Sequence, residues 1–228
     1  MGAAVLSVSK KLIVQHSMNR LARHYQALGM YHWEARTYPV ERTPANWDTL
    51  QQQVATCMKC SLHQSRTQTV FGVGNRAAQL MFIGEAPGYH EDQQGEPFVG
   101  RAGQLLTAMI KTIGLERNQV YIANILKCRP PNNRDPQADE VQLCTPYLDQ
   151  QIALIQPKLL VAVGRIAAHY LLKTKSSLES LRNKIHAYGS HAIPLIITYH
   201  PAYLLRNPID KKKSYLDLQF IQKTIKAL

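Results

Sequence analysis

From Gln79 onward, short apolar runs alternate with amphipathic stretches along the chain. Four runs have strand length: QLMFIG (79–84), VYIANIL (120–126), KLLVAVG (158–164) and IPLIITY (193–199). Helices are predicted over Gly100–Ile113, ending at Gly114, over Arg165–Leu172, and over Asp210–Leu228, which is basic. A longer helix is predicted over Pro136–Ile155, with Asp135 as its cap and Pro136 in its first turn. Pro146 predicts a break or kink near Cys144. A short helix over Trp47–Thr56 has Thr43 or Asn46 as its cap. Strands that are apolar on both faces and separated by helices predict an α/β fold, with a mostly parallel sheet covered on both sides. Ligands of such sheets sit beyond the carboxyl ends of the strands. Three polar motifs fall there: GEAPG after the first run, Asn124 late in the second, and His200 after the fourth.

Residues 1–45 read as a helical extension and linker, and 46–228 as the main domain. Within the extension, Leu12, Leu21, Tyr25, Leu28 and Tyr31 form a partial stripe on a helix over Lys10–Arg36, before the proline-bearing linker; it reads as a packing cover in preference to a partner-binding helix. The N-terminal MGAAVLSVSKKL places its charges after its apolar stretch, unlike a signal peptide, and Leu6 breaks the myristoylation pattern. Apolar runs such as 159–163 and 193–197 are too short to span a bilayer, so no membrane is expected and a cytoplasmic location is the default. Lys and Arg number 27 against 15 Asp and Glu, a formal charge of +12 that favours a polyanion as partner.

Four cysteines occur, Cys57 and Cys60 as C-x2-C, then Cys128 and Cys144 with fifteen residues between them. Without a secretion signal, disulfides are not expected. Four thiolates suit either zinc or an iron–sulfur cluster, and spacing alone does not separate the two.

The densest motif is GEAPGYHEDQQGEPFVGRAGQLL (84–106). Its glycines permit close approach of backbone to a ligand, and amides near Ala86 and Gly88 are placed to meet an oxygen. Phe98, stiffened by Pro97, offers a stacking surface, and the helix start at Arg101 suits a phosphate. In YIANILKCRPPNNRDP (121–136), the amide of Asn124 can pair with a base edge, while Lys127, Arg129 and Arg134 can clamp phosphates. In HPAYLLR (200–206), His200 is placed for hydrogen bonding or acid–base work, and Leu204 and Leu205 beside Arg206 are either core or an apolar wedge.

Taken together, these three motifs and the cysteine layout resemble the family 4 uracil-DNA glycosylases, the iron–sulfur branch of that superfamily, over residues 50–226. The resemblance implies an α/β/α sandwich on a central four-stranded parallel sheet. It implies a structural [4Fe–4S] cluster on Cys57, Cys60, Cys128 and Cys144, in preference to zinc. It implies a monomeric, monofunctional hydrolase that extrudes deoxyuridine from single- or double-stranded DNA.

In that scheme uracil stacks on Phe98 and pairs with Asn124. His200 donates to O2, helped by the Ala86 amide, and Leu204 props the vacated stack. Glu85, Glu91 and Asp92 are candidates for positioning water or shaping the pocket, and Glu91 and Tyr89 for excluding thymine. Arg101, Arg129, Arg134 and Arg206 would meet phosphates. The chain departs from the best-known branch in having Ala86 where that branch has a water-orienting aspartate. It also lacks the histidine-bearing insertion of a branch that bonds covalently to the sugar. The competing readings are a non-catalytic iron–sulfur DNA-binding module and a zinc-stabilised structural domain.

Overall fold

The computed structural model describes residues 46–228; the expected helix over Lys10–Arg36 and the linker after it lie outside the described residues. In chain order the helices are α1 (Trp47–Ala55), α2 (Tyr89–Gln94), α3 (Arg101–Thr112), α4 (Ala138–Ile155), α5 (Arg165–Leu172), α6 (Leu178–Leu181), α7 (Pro201–Arg206) and α8 (Lys211–Ala227). The strands are β1 (Val73–Gly74), β2 (Leu80–Gly84), β3 (Tyr121–Asn124), β4 (Leu159–Val163), β5 (His186–Tyr188) and β6 (Ile193–Thr198).

The sheet has six strands in the order β1-β3-β2-β4-β6-β5. The four expected strands form its parallel centre. Two short strands that the apolar pattern did not predict flank it antiparallel, β1 on β3 and β5 on β6. Alternate side chains of the central strands enter two separate cores. Met81, Ile83, Ala123, Leu160 and Ile197 pack with α1, α4 and α5, while Phe82, Ile122, Val161 and Ile196 pack with α3, α7 and α8. The result is the expected sandwich, with helices on both faces of the sheet.

Helix ends follow local chemistry. Asn46 Oδ1 accepts from the Asp48 amide at 2.7 Å and caps α1. Gly114, with φ +80°, stops α3 where expected. The long helix departs from expectation twice. It starts at Ala138 with a reciprocal capping box between Gln137 and Glu140, so Asp135 is not its cap. It also runs unbroken through Pro146. Val141, Cys144, Leu148, Ile152 and Ile155 bury one side of it, and that packing outweighs the roughly 3 kcal/mol cost of an internal proline.

Register brings the site together. Gly84 is paired with Asn124 at the ends of β2 and β3, and Val163 with Thr198 at the ends of β4 and β6. All three polar motifs therefore leave the sheet at one edge.

Candidate active site and cysteine pocket

Gly84 is the floor on which the pocket is built. A Cβ there would lie 2.4 Å from Asn124 Oδ1 and 2.7 Å from Phe98 Cζ, so only a bare backbone lets the amide and the ring meet. Phe98 adopts φ +55°, an uncommon conformation for an aromatic residue. Its loop is held from several sides. Glu91 Oε1 accepts from the amides of Val99 (2.9 Å) and Gly100 (3.1 Å), and Arg117 Nη2 donates to the Pro97 carbonyl at 2.6 Å. A Cβ at Gly103 would lie 1.7 Å from the Phe98 carbonyl oxygen, so this helix turn can close only with glycine.

The His200 ring lies 5.7 Å from the Phe98 ring at an angle of 35°. His200 caps α7, its Nδ1 accepting from the Ala202 amide at 3.1 Å. In the neutral ring the proton therefore sits on Nε2, which is left to donate. Burial pulls the imidazole down to about 4; the charge of Arg206 pushes the same way and Glu91 opposes. The ring is thus neutral at physiological pH. Gly164, with φ +95°, makes room behind it, because a Cβ there would come 2.7 Å from that of His200.

Asn124 Oδ1 is the decisive atom. Asn124 is 2% exposed, and among the described residues its Oδ1 is the one buried side-chain oxygen or nitrogen with no hydrogen-bond partner. Such an atom costs roughly 1–3 kcal/mol unless a ligand donor meets it. Stacking ring, carboxamide and imidazole therefore converge as expected.

Glu85 lies just past β2, and its carbonyl accepts from the Leu126 amide at 3.0 Å. Burial raises its carboxyl to about 7, with Asp135 adding and Arg165 opposing. Ala86 is half-buried against the first core. Gly88 precedes α2, and a Cβ there would lie 2.8 Å from Glu91 Oε2. Glu91 thus braces the Phe98 loop and fills the space beside Gly88. Asp92 takes no part in the pocket; it is buried and accepts from the Thr67 amide at 3.0 and 3.1 Å.

Several expected DNA contacts stand elsewhere. Leu204 is 1% exposed and packs in the second core, so it is not a wedge; α7 turns Pro201 and Leu204 inward together. Arg134 is not a free phosphate clamp, because its guanidinium grips the fully buried Glu140 through two bonds of 2.9 and 2.5 Å. Lys127 is buried too, its Nζ bonded to the Asn124 carbonyl and to Gln151. Arg101 and Arg206 are exposed. Arg129 is half-exposed, its Nε donating to Asn133 at 2.7 Å and its guanidinium 5.1 Å from the Tyr89 ring centre.

The four cysteines are free thiols, and all four line one pocket between α1, the turn after β3, and α4. Arg66 Nη1 lies 3.1 Å from Cys128 Sγ, and the Lys127 amide lies 3.2 Å from Cys144 Sγ. Burial raises Cys144 to about 11 and pushes Cys128 and Cys60 upward as well. Burial thus favours the protonated thiol at Cys60, Cys128 and Cys144, and a bound cation would deprotonate them. Among the described residues no group of three or more His, Cys, Asp or Glu is placed to hold a metal ion as it stands.

The model of the uracil DNA glycosylase superfamily matches residues 71–222. A type-4 uracil-DNA glycosylase of Sulfurisphaera tokodaii is 49% identical over 71% of the chain and 76% of its own length. The chain belongs to the type-4 uracil-DNA glycosylase family. Further members resemble it closely. That of Archaeoglobus fulgidus is 45% identical over 71% of the chain and 84% of its own length. That of Thermotoga maritima is 41% identical over 74% of the chain and 94% of its own length. The family match runs from before β1 into α8 and includes Glu85, Phe98, Asn124 and His200, while Cys57 and Cys60 precede it.

The sequence reading missed the supports of this family's pocket. Arg117, Gly164 and the buried pair Arg182–Asp217, whose Thr198 contact steadies the strand end before His200, were not singled out. Gly164 alone carried a signal, a glycine directly after a strand and before a helix.

Proposed function

We propose that this chain is a monofunctional uracil-DNA glycosylase acting on extruded deoxyuridine in single- and double-stranded DNA, releasing uracil and leaving an abasic site. The reading rests above all on the unpaired Asn124 Oδ1 beside Phe98 and His200. Uracil presents a donor at N3 and an acceptor at O4, matching Asn124 Oδ1 and Nδ2; cytosine presents the opposite order. Phe98 stacks on the base, and His200 Nε2 donates to O2.

As the C1′–N1 bond breaks, its electron pair moves into the uracil ring and toward O2. The fixed donor of a neutral His200 stabilises that charge where it develops, typically worth about 10²–10³-fold in rate. Water adds to the sugar cation at C1′. Glu85, just past β2 and ionised above about pH 7, is the carboxylate assigned here to orient that water and take its proton. Extrusion costs roughly a few kcal/mol. Phosphate contacts by Arg101, Arg129 and Arg206 offset it on a chain of net charge +12.

Cys57, Cys60, Cys128 and Cys144 would hold a [4Fe–4S] cluster. All four line one pocket, and four soft thiols suit an iron–sulfur cluster, the group the family resemblance implies. When bound, the cluster supplies a structural cross-link between α1, the turn after β3, and α4, away from the chemistry. The proposed enzyme is a monomer of the cytoplasm; among the described residues no helix is long and apolar enough to cross a membrane.

The test is incubation of brown, cluster-loaded protein with labelled uracil-containing oligonucleotides. Strand scission is expected after alkali and not before it, on both substrate forms. A folded, cluster-bearing protein that releases no uracil would be a binding module instead.

A further inference from the structure

Lys127 stands between the two sites. It is 1% exposed and among the largest fully buried side chains described. Its Nζ donates to the Asn124 backbone carbonyl at 2.8 Å and to Gln151 Oε1 at 2.6 Å. Its own amide donates to Cys144 Sγ at 3.2 Å, and its carbonyl accepts from the Val70 amide at 2.8 Å. Gln151 is fixed in turn, donating to the Phe71 carbonyl at 2.9 Å and lying 3.3 Å from the Tyr121 hydroxyl. The lysine therefore has one well-defined position.

A buried ammonium costs several kcal/mol unless an opposite charge faces it. Both acceptors of Lys127 are neutral. On the other side Lys127 lines the cysteine pocket, next in the chain to Cys128 and with its amide against Cys144 Sγ. Four thiolates around a cluster core still sum to a net anion, and buried anions need counter-charge. Lys59 and Arg66 also line this pocket, but Lys59 is exposed and Arg66 half-buried; Lys127 is the buried cation among them.

We propose that Lys127 is a positioning residue that couples the two sites: its ammonium is counter-charge to the Cys128 and Cys144 thiolates while holding the backbone of Asn124, so that the base-reading amide is aligned when the cysteine site is filled. This rests on Asn124 as the base-pairing residue and on the cysteines as cluster ligands. A side chain that only fills space would affect stability alone. A coupling residue affects two distant readouts together.

The experiment compares cluster-loaded wild type with Lys127→Met, Lys127→Arg and Asn124→Ala. It measures inhibition by free uracil and the cluster's midpoint potential. Lys127→Met should weaken uracil affinity roughly 10–100-fold, the scale of lost supporting contacts. It should also move the potential to a more negative value, because a cation that favours the reduced, more anionic cluster is gone. Lys127→Arg keeps the charge but not the reach, so uracil affinity falls while the potential holds. Asn124→Ala loses uracil affinity at an unchanged potential.

Wild-type uracil affinity or wild-type potential in Lys127→Met overturns the coupling. Should Lys127→Met fail to fold with its cluster, Lys127→Gln, neutral but still able to donate, takes its place: unchanged uracil affinity or unchanged potential overturns the proposal, and weakened affinity together with a more negative potential supports it. Full uracil affinity in Asn124→Ala sinks the pocket reading itself, and a colourless wild-type protein sinks the cluster reading. Either result is distinct from failure of the lysine bridge.

Discussion

Asn124, Glu85 and Leu204 show how differently three residues in matched motifs behave once folded. The buried, unpartnered Oδ1 of Asn124 is a liability without ligand. Asn124→Ala should therefore leave the melting temperature within about 5 °C, as expected for roughly 1 kcal/mol or less in a domain of this size. Uracil release should fall at least about 100-fold, measured in single turnover. Glu85 has its carboxyl raised to about 7. If its carboxylate orients water, kcat/KM should rise with pH through about 7, and Glu85→Gln should abolish that limb. His200, neutral above about 4, adds no limb near its ordinary value. The linkage sign is also fixed. A carboxyl with a raised folded pKa opposes folding once ionised, so stability is lost as pH rises from about 4.5 through about 7. Glu85→Gln should thus melt higher than wild type at pH 8 and equally at pH 4. Leu204, packed in the core, should behave as a core leucine. Leu204→Ala should cost about 2–5 kcal/mol in denaturant titration. A change confined to activity on duplex DNA, at unchanged stability, would restore a wedge role.

At the scale of elements, the sheet's carboxyl edge does the assembling. In-register ends of β2 and β3 set Gly84 beside Asn124, and His200 emerges two residues past β6. That much was legible, because four apolar runs, each bounded by glycine or polar residues, fixed the strands and therefore their ends. The edge strands β1 and β5 have two and three residues, too few to show any period. Helix α2 has six residues between Gly88 and Gly95, too short for a stripe. The roles of Lys127 and Arg134 were hidden for another reason. Sequence gives a side chain's charge but not its partner, and in a basic chain each cation reads as phosphate-facing until a buried Glu140 or carbonyl claims it. Arg134→Ala should accordingly cost stability, on the order of 1–3 kcal/mol for the Glu140 carboxylate left buried without its donor. It should leave the salt dependence of DNA binding unchanged. Arg206→Ala should do the reverse, lowering the salt slope by about one contact at constant stability.

The whole molecule combines a net positive charge, a recessed pocket and four cysteines lining one space between α1, the turn after β3, and α4. On the proposed reading, affinity for DNA comes from the first, discrimination from the second, and the stiffness of the loop beside Asn124 from the third. Substitution of Cys128 by serine should therefore lose brown colour and soluble yield together, while Asn124→Ala keeps both. The central claim is narrower than any of these: an extruded uracil is held by the Asn124 amide between Phe98 and His200. It is tested most directly by the crystal structure of the protein with free uracil bound. The account predicts uracil N3 within hydrogen-bonding distance of Asn124 Oδ1, O2 facing His200 Nε2, and the base plane over Phe98. Uracil bound elsewhere, or an Asn124 Oδ1 still without a partner beside it, would contradict the account.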